Sequence, residues 1–598
     1  MSRARLLSIA DGGPGLPPPP NFWTWFSSSA VNRASSLALT AYHQLPGHLS
    51  NLFPVSTSSS TPSSGPGCFR CTFAQLLDAV EKLATILYDK GLREGDVVAA
   101  FIGNDRGVEW ALLLWTSWRI GAVFAPVEPN LLARKAELRE VRRLLNPKVA
   151  VLTDGADVKS WTETSAGQEG QLIQVVCSGD IDPGRDGEWS SLSRVSCPSN
   201  RESSSPPPAP ASLPTQPALI MFTSGTTSTP KGCRLTFANI HAEITGYHAF
   251  AHSHWSSDTK FLATSSVFRP ICYLGSLNAW TAGGSVIFAA STFDPATTIA
   301  VLAQERATHL MMLPTQLRAV TNILAQQPST LQHELLFVTV AGDVSDWELL
   351  SSARQALKAR RLVPHWGMSE GAPLFAFASV DHASAPPPVL ENGVPSVGYA
   401  LPGTKAKICP AKGSPSTTPV PRGVQGELHV ASLALIHNYL DSVSRASFYE
   451  DAQGRWFRTG DLAVMDQEGM VYVVGRIKDT IKCRGIGIYP PVMERCLMDL
   501  FGVEAVVIGV PDVDDGEKPV AVLMSLPATV QDNKDGIHAE TTKQAIIRGV
   551  PAHLGPDYIL GGVYTLEEVG LADWPLNSSA KLDKRALRGL VQRTMQQS

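Results

Sequence analysis

Charge is the first thing this sequence is short of. Asp, Glu, Lys and Arg make up 17% of its 598 residues and nearly cancel, leaving a net charge of −4. That balance excludes the strongly basic surface a polyanion requires, so no nucleic-acid partner is expected. Long hydrophobic runs are missing as well. The nearest, Trp110 to Val127, is interrupted by Arg119 and Gly121 and reads as a helix, a turn and a strand. It is not the run of about 18 or more apolar residues that crosses a membrane, and no transmembrane segment is expected. Cysteine is sparse: there are nine, an odd number, and the CxxC of Cys68 and Cys71 has no second pair at zinc spacing. A reduced, intracellular protein, most simply a cytoplasmic one, fits this usage. Arg3 and Arg5 precede no apolar core with a cleavage site, so a secretory signal is not read. A mitochondrial address stays open, and Gln596-Gln597-Ser598 is not a peroxisomal tripeptide.

Apolar residue types are plentiful at 44%, and the length exceeds what one compact core organises, so at least two domains are expected. Residues 1–66 are rich in Pro, Ser and Gly around an aromatic patch of Phe22, Trp23 and Phe26, and read as a disordered extension with a docking segment inside it. Thr72 and Gln75 form a capping box for a helix whose apolar face is Leu76, Leu77, Val80, Leu83 and Leu87, ending at Gly91. Strands at Val97–Ile102, Val123–Pro126 and Val149–Leu152 then alternate with helices at Val108–Ile120 and Arg134–Leu145. Strands apolar on both faces between helices imply a parallel sheet covered by helices, an α/β fold.

Residues 179–217 turn to Ser, Pro and Arg without periodicity and read as a mobile surface insertion. Strands at Val286–Ala289, Leu310–Leu313 and Phe337–Ala341 continue the layered pattern. After Gly475 the pattern becomes a small α+β module, with strands at Ala505–Val510 and Val520–Ser525 and a helix at Thr541–Leu554. The charge-rich Gly475-Arg-Ile-Lys-Asp479 has no core-facing pattern, which divides the chain into a large domain, 67–475, and a small one, 476–598.

The stretch that organises the rest is Phe222-Thr-Ser-Gly-Thr-Thr-Ser-Thr-Pro-Lys-Gly232. It follows an apolar strand, Ala218–Phe222, and is read as leading into a helix from about Thr236. Gly225 and Gly232 would let main chain approach a ligand, Ser224, Thr226 and Thr227 offer hydroxyls, and Lys231 brings a full positive charge, which together make a phosphate cradle. The P-loop pattern is not met. Three other polar clusters stand far apart in the chain: His365-Trp-Gly-Met-Ser-Glu-Gly371, Arg458-Thr-Gly-Asp-Leu462 and Pro575-Leu-Asn-Ser-Ser-Ala-Lys-Leu-Asp583.

Taken with the cradle, these clusters resemble, in order and spacing over about residues 70–590, the signatures of the adenylate-forming superfamily, which includes acyl-CoA and aryl-CoA ligases, luciferases and adenylation domains of peptide synthetases. The resemblance implies that fold, with a large layered domain and a small mobile α+β domain, and the following roles. Thr223, Ser224, Gly225, Thr226, Thr227 and Lys231 would hold the phosphates of ATP. Trp366 would lie against adenine, Glu370 would hold Mg2+, Asp461 would take the ribose hydroxyls and Arg476 would contact the nucleotide. Lys478 would be the hinge about which the small domain turns, and Lys581 the catalytic cation. Phe268, Arg269, Gly342 and Gly367 would line the acid pocket.

The implied reaction is ATP-dependent activation of a carboxylic acid as an acyl-adenylate, followed by transfer to a thiol: coenzyme A, or the phosphopantetheine of a carrier protein supplied in trans. Three departures from the family pattern, Ser228, Asn438 and Ala580, leave open a relative that binds nucleotide without catalysis. At the position where many members have His, Arg269 reads either as a solvated or salt-bridged residue or as a partner for a polar group of the acid.

Overall fold

The computed structural model describes residues 6–53, 68–164, 172–177, 189–195, 206–223, 230–250, 255–327, 331–377, 387–391, 393–411, 416–441, 447–526, 536–577 and 581–597. Among these, two seven-stranded sheets form the body of the molecule. One runs in the spatial order Gly232–Thr236, Pro217–Phe222, Val123–Val127, Val97–Phe101, Val149–Leu152, Ile173–Val176 and Ser190–Ser191. The other runs Leu362–His365, Phe337–Ala341, His309–Met312, Lys260–Ala263, Ser285–Phe288, Leu37–Ala41 and Phe69–Thr72. Pairing within each is parallel except at the edge hairpin 217–236 and at the Phe69–Thr72 edge. The strands are apolar on both faces because helices cover both sides, which is the α/β architecture read from the alternation.

Between the two sheets lies the helix Gly107–Ile120, which ends at Gly121, where φ is +82°, before the chain enters the first sheet as the strand Val123–Val127. Every residue of that helix is buried. Trp118 Nε1 donates to the Ala218 carbonyl of one sheet at 2.9 Å, while Trp110 stacks on Trp280 and meets Phe288 of the other sheet edge-on. Its one acid, Glu109, survives burial because Gln44 donates to it at 2.6 Å and His48 stands 2.9 Å away. No helix among the described residues is long and apolar enough to cross a membrane.

The disorder read for residues 1–66 does not describe residues 6–53. Ile9–Asp11 adds an antiparallel strand to Thr404–Cys409, the helix Phe22–Asn32 is capped by Asn21, and Leu37–Ala41 is an inner strand of the second sheet. Phe22 and Phe26 are each 1% exposed and pack on Trp118, with Phe26 also on Trp115. Proline and serine dominated the composition there, and the short aromatic patch turned out to be a core-facing helix. Part of the 179–217 insertion is likewise ordered: the Pro207 and Pro208 carbonyls accept from Arg119, and Asn21 donates to the Pro210 carbonyl.

A third sheet, antiparallel, contains Gly426–Ser432, Gly454–Met465 and Val471–Arg476. Beyond the turn Ile477–Asp479, a five-stranded sheet with the helices Pro490–Phe501, Gly536–Leu554 and Lys584–Gln597 builds two hydrophobic clusters of its own, on Met493, Val507 and Ile546 and on Ile508, Val520 and Leu587.

Candidate active site

The cradle stretch joins two antiparallel strands before the expected helix. Gly232–Thr236, which the sequence did not mark as a strand, pairs antiparallel with Pro217–Phe222, Thr223 N–H donates to the Lys231 carbonyl at 3.0 Å, and the helix follows at Phe237, beside its expected start at about Thr236. Ser224, Gly225, Thr226 and Thr227 lie outside the described residues, as do Ser228 and Ala580. Gly232 serves packing and not approach to a ligand: a Cβ there would fall 2.5 Å from Leu440 Cδ1, and Leu440 N–H donates to the Gly232 carbonyl. That contact brings Tyr439 beside the loop. The Lys231 ammonium lies 5.4 Å from the Tyr439 ring centroid, and Tyr439 Oη donates to Glu370 Oε1 at 2.5 Å. Burial is the main cause of the upward shift of the Tyr439 phenol, with the Glu370 charge adding to it, so it remains a donor.

Glu370 sits in the turn after Leu362–His365, at the carboxyl end of a parallel sheet, where open α/β sheets gather ligand groups. The Glu370 carbonyl accepts from Ile436 N–H at 2.8 Å, and Gly367 packs on Ala372, which holds the turn closed. Trp366, at the same strand end, donates from Nε1 to Asp461 Oδ2 at 2.9 Å. Asp461 Oδ1 receives Arg476 Nε at 2.8 Å, because register in the third sheet places Asp461 directly opposite Arg476. Asp461 is 3% exposed, and burial raises its carboxyl above the usual range, opposed by Arg476 and by the Trp366 hydrogen bond. Arg458, Thr459, Gly460, Arg476 and Lys478, with Glu427, line a cleft of about 510 Å3 beside it. Burial lowers the Lys478 ammonium below its ordinary value.

Lys581 arrives from the C-terminal unit. Asn577 N–H donates to the Lys581 carbonyl at 2.8 Å and Asn577 Oδ1 accepts from Lys581 N–H at 3.3 Å, so the hairpin is pinned on both sides of its tip. Burial depresses the Lys581 ammonium; Asp343 opposes this, Arg476 and Arg269 push the same way as burial, and Asp461 opposes again. The lysine therefore shares one electrostatic neighbourhood with residues from three distant parts of the chain. Gly342, at φ +95°, clears its path: a Cβ there would lie 2.6 Å from Leu313 Cδ2, 3.4 Å from Ile271 Cδ1 and 3.6 Å from Lys581 Cε. Arg269 is neither well solvated nor well paired. Its side chain is 14% exposed, packs on Phe268 at 5.1 Å, and stands 3.7 Å from Glu128 Oε2.

The structure links Lys231 and Glu370 through Tyr439, and Trp366 and Arg476 through Asp461, while Lys581 lies against Gly342 within electrostatic reach of Asp461 and Arg476. Several residues beside these were not singled out from sequence. Tyr439 lay within the noted Asn438-Tyr-Leu440 but carries no charge to draw the eye. Asp343 follows Gly342 directly. Glu243, fully buried, accepts from Tyr273 Oη at 2.7 Å and from Ala372 N–H at 3.1 Å, two residues from Glu370; burial pushes its carboxyl up to about 8. An acid on a helix gives no local signal of such a position.

Comparison with known proteins bears on the family and the fold. An acyl-CoA ligase from Pestalotiopsis microspora is 28% identical over 550 residues, covering 89% of each chain. A feruloyl-CoA synthase from Amycolatopsis sp is 29% identical over 459 residues, 76% of this chain and 83% of that one. The crystal structure of ATP-bound MatB from Rhodopseudomonas palustris superposes with a TM-score of 0.72 over 95% of this chain and 98% of that one, at 20% identity, a likeness of fold. The sequence profile described as AMP-binding enzyme matches residues 63–440, and the chain belongs to that family.

Proposed function

We propose that this cleft binds Mg·ATP beside a carboxylic acid, with Lys231 on the phosphates, Trp366 against the base, Asp461 and Arg476 on the ribose side, and Lys581 at the point of attack. The chain is an AMP-forming acid–thiol ligase. The observation that carries the assignment of roles is that Trp366 and Arg476, from separate elements, both meet the buried Asp461, with Lys581 within electrostatic reach of Asp461 and Arg476.

A carboxylate oxygen of the acid attacks the α-phosphorus, the bridging bond to the β-phosphate breaks, and pyrophosphate leaves with the acyl-adenylate formed. Two anions must meet, and charge gathers on the pentacoordinate transition state. An ammonium held in a water-poor corner, as Lys581 is, offsets that charge far better than one in bulk water. Asp461 accepts at both oxygens from Trp366 and Arg476, which fixes its orientation before ligand arrives and lowers the ordering needed on binding. In the second half-reaction the acceptor sulfur attacks the acyl carbon, the bond to AMP breaks, and the thiol proton is released. Lys581 has no charge to offset there, so rotation of the C-terminal unit about Lys478 frees its place for the thiol.

The donor set suits magnesium. Glu370 supplies one hard carboxylate, the kind of ligand that an ion held mainly by phosphate oxygens takes from a protein. Bound there, it would neutralise phosphate charge. Coenzyme A is the acceptor indicated by the relatives named above; the phosphopantetheine of a carrier protein presents the same thiol. Pyrophosphate release is measured across a panel of acids, and products with coenzyme A and with a phosphopantetheinylated carrier are identified by mass spectrometry. Acid-dependent release is expected, with a thioester of coenzyme A. ATP turnover indifferent to every acid tested would refute the reading.

A further inference from the structure

One cation within electrostatic reach of Lys581 has no part in the reaction just described. Arg269 ends the loop after Lys260–Ala263 and caps the helix Pro270–Thr281 without a side-chain hydrogen bond to it. Its guanidinium is largely buried, and its Nε is among the buried atoms with no hydrogen-bond partner among the described residues. The nearest carboxylate, Glu128, lies 3.7 Å away, beyond hydrogen-bonding distance. Glu128 is shared with Arg134 at 3.4 Å, and its own Oε1 is also buried without a partner. A planar, permanently charged fork left half-satisfied out of water is costly, and it is kept where a ligand completes it.

This corner is shared with Lys581. Ile271, two residues on, Leu313 and Lys581 Cε all lie around Gly342, and the Arg269 and Lys581 charges act on one another. The corner is therefore apolar in its walls, with one ammonium on the side of Asp343 and Asp461 and one guanidinium on the side of Glu128 and Arg134. One carboxylate of the acid goes to Lys581. A substrate with nothing else to offer would leave Arg269 in the same unsatisfied state.

Resting on the ligase reading above, we propose that Arg269 selects for acids bearing a second oxygen acceptor, a distal carboxylate first and a hydroxyl second, and that Glu128 holds the guanidinium until such an acid displaces it. Arg269 is a specificity-determining residue, and the signature of its role is a ratio between substrates, not a loss of turnover.

Acid-dependent pyrophosphate exchange is measured for matched pairs: straight-chain mono- and dicarboxylic acids of equal length, and aromatic acids with and without a ring hydroxyl. The wild type is expected to favour the member with the second acceptor. Arg269→Met lowers the kcat/KM ratio of the diacid over the monoacid by about 100-fold or more, as when a site built to bond a substrate group loses its partner. Arg269→Lys, which keeps the charge but not the fork, falls between. Glu128→Gln removes the competitor and lowers KM for the diacid alone, which keeps the idea testable should the Met variant fold poorly. An unchanged ratio in Arg269→Met, or a wild type that prefers the plain monoacid of every pair, overturns the proposal and leaves the ligase reading standing. Absence of exchange with all acids overturns the ligase reading and this proposal with it.

Discussion

The two walls of the cleft are made by different means. On the wall formed by the large body, Asp461 is 3% exposed, bonded to Trp366 and Arg476, and set by strand register in a sheet continuous with the core. On the facing wall, Lys581 rides on a hairpin of a unit whose hydrophobic clusters are its own, and the contacts that hold this unit across the cleft are polar: Arg495 with Glu348, and Arg318 with Glu504 at 3.9 Å. Glu348 and Arg318 are 48% and 38% exposed at the side chain, so these pairs are weak in water and easily broken. The first wall is continuous with the core of the large body, and the second belongs to a unit joined to it by exposed ion pairs. That contrast suits a reaction needing a cation at its first step and a thiol in the same place at its second.

The contrast can be broken first at its foundation. Phe22→Ala or Phe26→Ala is expected to cost about 3–5 kcal/mol in denaturant unfolding, since both rings are buried against the helix between the sheets. A change near zero would return the N-terminal segment to the status of a tail. At the moving wall, Lys581→Ala should lower acid-dependent pyrophosphate exchange by about 10²–10³-fold, while thioester formation from supplied acyl-adenylate is largely spared. Equal losses in both would erase the distinction between the walls. The pH profile of the first half-reaction sharpens the same point. The ammonium form is the active one and its folded pKa lies below 10.5, so exchange is lost as pH rises through that lowered value and is kept below it. The thioester step should not share that alkaline limb. Smallest of all, Glu348→Gln or Arg495→Gln should weaken the closed arrangement by about 0.2–1 kcal/mol. The first half-reaction would slow a few-fold at most, with the stability of each unit unchanged. A large loss of stability there would show the interface to be structural.

Trp366, Glu370, Asp461 and Lys581 were picked out only because their clusters together resemble one family's signatures; taken singly, each cluster reads as a polar loop, a surface turn or a solvated tail. The elements 97–152 were legible because alternating apolar strands and amphipathic helices write their burial into the order of residues. What was missed had no such mark. The strand Gly232–Thr236 looks like the lead-in to a helix until the partner strand is present to bond it. The helix Phe22–Asn32 hides in a Pro/Ser-rich context because its reward is contact with Trp115 and Trp118, some 90 residues away. Glu243 looks like any acid on a helix, and only the packing of Tyr273 and Ala372 against it gives it a place.

The sequence by itself determined which groups are available: the hydroxyl-rich loop, the acids Glu370 and Asp461, and Lys581 near the end. The tertiary structure alone decided which of them meet, since a charge acts only over a few ångströms in a protein and chain order says nothing about such distances. It also decided that Arg269 would be left half-satisfied, because burial and pairing are properties of surroundings, not of residues.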